Sequence, residues 1–174
     1  KIQKYTSSAV KGLDNVSQSE LEVDAKIQFR DKITTEEIQK TLIKTAVDKI
    51  DIDRPNWTYV AARLFLYDLY HKVNAYTGYG SFAEYLERGE KEGRIVLGLK
   101  EKYDLKDLEA HIKPERDLQF NYLGIKTLHD RYLIKNRQGK PIELPQHMFM
   151  AIAMFLAQNE LNSQDWAKKF YDVI

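Results

Sequence analysis

The stretch that decides the fold runs from residue 120 to residue 157 and reads FNYLGIKTLHDRYLIKNRQGKPIELPQHMFMAIAMFLA. Its first part carries apolar and aromatic side chains at spacings of three and four, which predicts a short helix with one face against the body of the domain. These residues are Tyr122, Ile125, Leu128, His129 and Tyr132.

Two extended runs and a second helix are predicted in the rest of this stretch. Residues 132–135 and 141–144 read as strands, and Gly139 between them favours a tight reversal, so one small β-hairpin is expected. Pro145 suits the first turn of a helix. The run from Met148 to Ala157 is apolar on nearly every face, and we therefore expect a buried helix over residues 145–159.

Composition narrows the class of protein. The chain has 174 residues, 43% of them hydrophobic and 30% charged, with a formal net charge of +1. This balance indicates a globular protein and gives no basic excess for binding nucleic acid. The chain contains no cysteine, so disulfides, thiolate metal sites and nucleophilic thiols are excluded. The absence of disulfides is consistent with a cytoplasmic protein. The longest apolar run is about half of the ~20 residues that a membrane span needs.

Residue patterns typical of helix N-termini divide the rest of the chain into helical segments. Capping boxes at Ser17–Glu20, Thr34–Glu37 and Ser81–Glu84 each open a helical segment, and Asn162 is predicted to cap the last helix. The segments between Gly78 and Pro114 are short. We therefore predict a helical domain at residues 1–77, a helical connector at 78–114 and a second helical domain at 115–174.

Few residues of the sequence suggest a catalytic, metal-binding or ligand-binding site. The four histidines have neither an i,i+4 partner nor a nearby cysteine, so no metal site is predicted. Acidic pairs such as Glu36 and Glu37 lie at helix ends, where the helix dipole explains them. The amides and hydroxyls at Thr34 and Thr35 could bind an anion, although capping alone also explains these residues.

Two sets of segments resemble a known family. FNYLGIKTLHDRYLI, IELPQHMFMAIAMFLA and WAKKFYDVI resemble the N-terminal helical part of the large (alpha) subunit of class I ribonucleotide reductase. KIQKY, GLDNVSQSELEVDAKIQF, DKITTEEIQKTLIKTA and DRPNWTYVAARLFLYDL resemble the ATP-cone, the module through which ATP and dATP set the overall activity of that enzyme.

The resemblance implies a mainly α fold. Residues 1–77 would form a truncated, four-helix ATP-cone that lacks the family's N-terminal β-hairpin, and residues 115–174 a helical domain with one small β-hairpin that ends before the catalytic barrel. The implied nucleotide contacts are Lys1, Ile2, Thr35 and His71. His71 replaces a lysine of the family's pattern, and Gln39 replaces a histidine.

The resemblance also implies a role. The parent enzyme would reduce ribonucleoside diphosphates with active-site thiols, pair with a radical-generating small (beta) subunit and self-associate. This chain would carry no catalytic residues or metal, and would contribute regulation by ATP or dATP. Two alternatives are a non-catalytic helical interaction module and a nucleotide-sensing transcriptional regulator, which would add a cysteine-rich zinc ribbon and a basic face.

Overall fold

The computed structural model describes residues 2–26, 28, 32–75 and 78–174, and this part of the chain is mainly α-helical, as expected. It contains nine α-helices and two short 3₁₀ helices, at Lys100–Lys102 and Pro114–Gln119. The α-helices are α1 (Ile2–Val10), α2 (Gln18–Lys26), α3 (Thr35–Asp48), α4 (Trp57–Asn74), α5 (Phe82–Lys91), α6 (Leu105–His111), α7 (Tyr122–Arg131), α8 (Pro145–Ala157) and α9 (Ser163–Val173).

The chain divides into two compact units. The first comprises residues 1–68 with 118–127, and the second comprises residues 69–117 with 128–174. The three-part division predicted from the sequence, with limits at 77 and 114, remains a prediction.

The first unit buries the apolar faces of α1 to α4 around Trp57. Leu21 of α2, Leu42 of α3 and Leu64 of α4 contribute to the same core. The predicted capping box of α3 is confirmed, because the Thr34 hydroxyl accepts from the amide of Glu37 while the Glu37 carboxylate accepts from the amide of Thr34. α1 ends where Gly12 adopts φ +70°, a conformation that an L-residue rarely takes.

The second unit is built on the packing of α8 against α9, with α5 on another side of α8. Its core joins Phe82 and Tyr85 of α5, Met150 and Met154 of α8, and Tyr171 of α9. Ser81 caps α5 as expected, since its hydroxyl accepts from the amide of Glu84 at 3.4 Å. Asn162 is the N-cap residue of α9, as expected, but its side chain makes no capping bond to the helix.

The predicted β-hairpin is not present: the described residues contain no β-strand. Residues 132–144 form only one antiparallel bridge, between Lys135 and Pro141. A ladder cannot extend, because Pro141 has no N–H and the amide of Leu133 donates to Leu128 at the end of α7. The amide of Ile134 donates to the side chain of Glu143 rather than to a strand partner.

The expectation that α8 is buried on nearly every face was also wrong in part. Met150, Ala153, Met154 and Ala157 are buried against α5 and α9. The opposite side is open, with exposed fractions of 41% for Ile152, 49% for Phe155 and 57% for Leu156.

Candidate functional site

The first turn of α3 carries the predicted anion site. Thr34 is the N-cap, and Thr35 is the first helical residue, with an exposed side chain. The Glu37 carboxylate lies 2.9 Å from both the amide nitrogen and the hydroxyl oxygen of Thr34. The partial positive charge of this helix end therefore already faces a carboxylate of the chain, and Glu36 adds a second negative charge to the same turn.

A cavity of about 190 Å³ lies between α1, α2 and α3 in the first unit. Its lining is almost wholly apolar by area, although charged residues contribute to it. The lining residues are Ile2, Gln3, Glu22, Ala25, Lys26 and Leu42. An apolar cavity of about 150 Å³ can hold benzene, whereas sites for drug-sized ligands start near ~300 Å³, so this one suits a single ring system.

The carboxylate of Glu22, one of the lining residues, is held in a fixed position by two side chains. Its Oε1 accepts a hydrogen bond from the buried hydroxyl of Thr6 at 2.5 Å and another from the Gln18 amide at 3.0 Å. The bond from Thr6 is the main cause that lowers the pKa of Glu22, with the bond from Gln18 next, against a smaller opposing effect of burial. Glu22 is therefore a charged acceptor at neutral pH.

The structure brings together only part of the predicted nucleotide site. Lys1 lies outside the described residues. Ile2 lines the cavity, but Thr35 and His71 do not belong to its described lining. His71 is exposed near the end of α4, in the second unit. Gln39 has a structural contact, since its side-chain amide donates to the backbone oxygen of Leu64 at 2.8 Å.

A buried polar network lies in the second unit, around Asp117. This carboxylate is fully buried and accepts hydrogen bonds from Tyr70 at 2.7 Å, Tyr79 at 2.6 Å and the Gln146 amide at 2.7 Å. Burial raises its pKa, and the three donors oppose that rise. The Tyr171 hydroxyl donates to the side-chain oxygen of Gln146 at 2.7 Å, so the network reaches α9.

Glu143 is a second buried carboxylate in this unit. It accepts hydrogen bonds from the Tyr85 hydroxyl and, at 2.8 Å, from the amide of Ile134. Burial raises its pKa to about 7. The neighbouring His147 packs on the rings of Tyr79 and Tyr85, and burial lowers its pKa to about 3, which keeps the imidazole neutral.

Sequence reasoning did not find Glu22, Asp117 or Glu143. Glu143 gave the clearest available signal, because it stands between Ile142 and Leu144 in an otherwise apolar segment. Glu22 gave a weaker one, as it lies four residues after Gln18 on the same helix. The partners Thr6 and Tyr85 are 16 and 58 residues away, and no local pattern indicates such contacts.

Neither a cluster of metal ligands nor a membrane-spanning helix is found in the described part of the chain. The described residues contain no group of three or more His, Cys, Asp or Glu side chains arranged to hold a metal ion. Over the same part of the chain, every helix is too short or too polar to cross a membrane.

Comparisons with known proteins assign the chain to a family. Residues 118–174 match the family model described as "Ribonucleotide reductase, all-alpha domain". The whole chain is 69% identical to a ribonucleoside-diphosphate reductase subunit alpha of Helicobacter pylori, of which it covers 22%. It is also 33% identical to a ribonucleoside-diphosphate reductase 1 subunit alpha of Salmonella typhimurium and 34% identical to the subunit alpha of Enterobacteria phage T4, covering 24% of each.

The chain thus spans less than a quarter of the length of these relatives, and all of its residues align with the first of them. This agrees with the resemblance seen in the sequence, in which both halves of the chain take part. The chain belongs to the ribonucleoside-diphosphate reductase alpha-subunit family and corresponds to the N-terminal part of that subunit, including its all-alpha domain.

Proposed function

We propose that residues 1–77 are an ATP-cone-like module that binds ATP or dATP and regulates a ribonucleoside-diphosphate reductase. The observation that carries this proposal is the 69% identity over the whole chain with the Helicobacter pylori alpha subunit. Two features of the first unit support it: Thr35 lies in the first turn of α3, and Ile2 lines a cavity of the size of a single ring system.

The proposed role is regulatory and structural rather than catalytic. The reductase as a whole would convert ribonucleoside diphosphates into deoxyribonucleotides in the cytoplasm, with a radical-generating beta subunit as partner. The chain contains no cysteine and cannot supply the thiols of that reaction. Its contribution would be to couple nucleotide binding to self-association and to docking of the beta subunit, with a coupling free energy of about 1–3 kcal/mol.

The geometry predicts weak binding to this chain alone. Phosphate oxygens would approach the amides and the hydroxyl of Thr35 at the start of α3, where the Glu37 carboxylate already interacts with the helix end. His71 stands where the family has a lysine, and a histidine, unlike a lysine, is not permanently protonated near pH 7. We expect dATP to bind in the high micromolar range or more weakly, which corresponds to roughly −5 kcal/mol.

Calorimetric titration with ATP and dATP tests the proposal. Thr35→Ala should weaken dATP binding, because it removes a hydroxyl at the phosphate end of the site. Thr41→Ala is the matched control on the same helix, since the Thr41 hydroxyl donates to the backbone oxygen of Glu37 instead. A version extended at its N-terminus by the family's β-hairpin should bind dATP at least tenfold more tightly. Equal affinities of the extended version and its Thr35→Ala variant would refute the placement of the site.

One observation favours a helical interaction module that binds no nucleotide. The first turn of α3 holds Glu36 and Glu37, and two carboxylates repel a triphosphate. The same titration separates the two functions, because such a module would give no saturable heat with ATP or dATP. A nucleotide-sensing transcriptional regulator has less support, since a net charge of +1 gives no basic face for DNA.

A further inference from the structure

The side of α8 that faces away from the core of the second unit is apolar. Ile152, Phe155 and Leu156 are between 41% and 57% exposed, and their spacing of three and four residues places them side by side on one face of the helix. No Asp, Glu, Lys or Arg occurs in α8, so this face lacks the charged residues that the solvent side of a surface helix normally carries. The three side chains form one apolar strip, the α8 stripe.

The neighbouring helix α9, which packs against α8, carries a second apolar row. Trp166, Phe170 and Val173 follow one another at spacings of four and three residues, and the rings of Trp166 and Phe170 lie 5.5 Å apart. Lys169 lies over the Trp166 ring at 4.5 Å and covers part of this row. The α8 stripe has no such charged neighbour on its own helix. Exposed apolar surface of this kind marks an interface, and the α8 stripe is its clearer part.

The family relatives contain a polypeptide that can reach the α8 stripe. The chain covers 22% of the Helicobacter pylori alpha subunit and corresponds to the N-terminal part of that subunit, so more than three quarters of such a subunit lies outside the matched segment. Ile174 directly follows α9. A polypeptide that continues from Ile174 would therefore start beside the pair formed by α8 and α9.

We propose that the α8 stripe is an intramolecular docking surface, covered by the part of a ribonucleoside-diphosphate reductase alpha subunit that follows residue 174. A tethered segment docks on a small apolar area because its effective concentration is high, in the millimolar range (~1 mM or more) for a short connection. A second copy of the chain has no tether and must offset its loss of translational and rotational freedom.

The area of the α8 stripe favours the tethered segment over a second copy. Three side chains that are about half exposed offer on the order of 300 Å² of accessible surface. Each partner of a stable dimer buries about 800 Å². The α8 stripe alone is therefore too small to hold two free chains together, whereas it suffices as one contact of a tethered segment.

Solvent access of the α8 stripe, with and without the rest of a subunit, tests the proposal. One sample is the chain alone. The other is a full-length subunit in which this chain replaces the matching segment of the Helicobacter pylori alpha subunit, with which it is 69% identical. Hydroxyl-radical labelling, read by mass spectrometry and normalised to free phenylalanine in solution, should modify Phe155 and Leu156 readily in the chain alone and severalfold less in the full-length subunit.

Phe155→Glu tests the same contact through stability. In the chain alone the new carboxylate reaches water, so the thermal midpoint should stay nearly unchanged. In the full-length subunit the docked segment would desolvate the charge, and the midpoint should fall by several degrees. Leu97→Glu is the matched control, because Leu97 is an 84% exposed leucine of the second unit outside α8 and α9. It should leave both midpoints nearly unchanged.

The outcomes distinguish the two occupants. Protection of Phe155 and Leu156 in the full-length subunit, with a loss of stability confined to Phe155→Glu there, supports the proposal. Equal labelling in the two proteins overturns it, as does an equal effect of Phe155→Glu in both or of Leu97→Glu and Phe155→Glu in the full-length subunit. Sedimentation that shows a dimer of the chain alone, dissociated by Phe155→Glu, would assign the α8 stripe to a second copy instead. None of these measurements involves a nucleotide, so the proposed function is tested separately.

Discussion

Replacing Glu143 with glutamine should stabilise the second unit above neutral pH. Glu143 is 1% exposed and accepts hydrogen bonds from the Tyr85 hydroxyl and the Ile134 amide. Burial raises its pKa from the usual 4.5 to about 7, because a carboxylate is poorly solvated in this core. Glutamine has the same shape and keeps an oxygen for Ile134, but it never carries the charge.

The sign and size of the effect follow from this pKa. Between pH 4.5 and about 7 the folded chain holds the Glu143 proton and the unfolded chain does not. The free energy of unfolding therefore falls as the pH rises through this range. One pKa unit corresponds to about 1.36 kcal/mol, so the free energy of unfolding falls by about 3 kcal/mol in total. This loss is complete above neutral pH and absent in acid. The glutamine variant should lack this loss.

Urea unfolding from about pH 4 to about pH 9 measures the difference. It is followed by circular dichroism and by tryptophan fluorescence, to which Trp57 in the first unit and Trp166 in the second both contribute. The variant and the wild type should agree near pH 4 and diverge by about 3 kcal/mol near pH 8. Glu160→Gln is the control, because Glu160 is an exposed carboxylate of the same unit. A difference in unfolding free energy between variant and wild type that stays constant across the whole pH range would refute the reasoning. So would an NMR titration in which the Glu143 carboxyl titrates near its usual value of 4.5.

Two further predictions concern the fold and the reaction. Met154→Asp should cost several kcal/mol of unfolding free energy, because it places a charge in a fully buried position of α8. Ile152→Asp, on the open side of the same helix, should cost much less, and equal thermal midpoints for the two variants would mean that the stated packing is wrong. The isolated chain should also form no deoxynucleotide with a beta subunit under any effector condition, since it has no cysteine; product formation by the purified chain would contradict the regulatory assignment.

The sequence predicted those parts of the fold that depend on neighbouring residues. The capping box at Thr34 and the proline at the start of α8 specify helix beginnings through contacts within one turn, and both appear as expected. The hairpin failed because its amides have competing partners: Leu133 donates to Leu128, and Ile134 to Glu143. An extended pattern alone does not show which acceptor each amide will take.

Burial and electrostatics were less predictable, because both depend on residues far apart in sequence. The apolar run of α8 indicated a buried helix, but Phe155 is 49% exposed since α5 and α9 cover only part of the surface. The pKa of Glu143 depends on a core that includes Tyr85, 58 residues away. At the candidate site, Ile2 lines the cavity, and the hydrogen bonds that hold Glu22 depend on the positions of Thr6 and Gln18 in the fold.

The central claim is that the first unit binds an adenine nucleotide between its cavity and the first turn of α3. An NMR titration of the isotope-labelled chain with dATP, followed at each backbone amide, tests it most directly. We predict saturable shifts near Ile2 and Thr35 with one dissociation constant in the high micromolar range or weaker. Saturable shifts confined to the second unit, or no saturable shift at either residue, would contradict the claim.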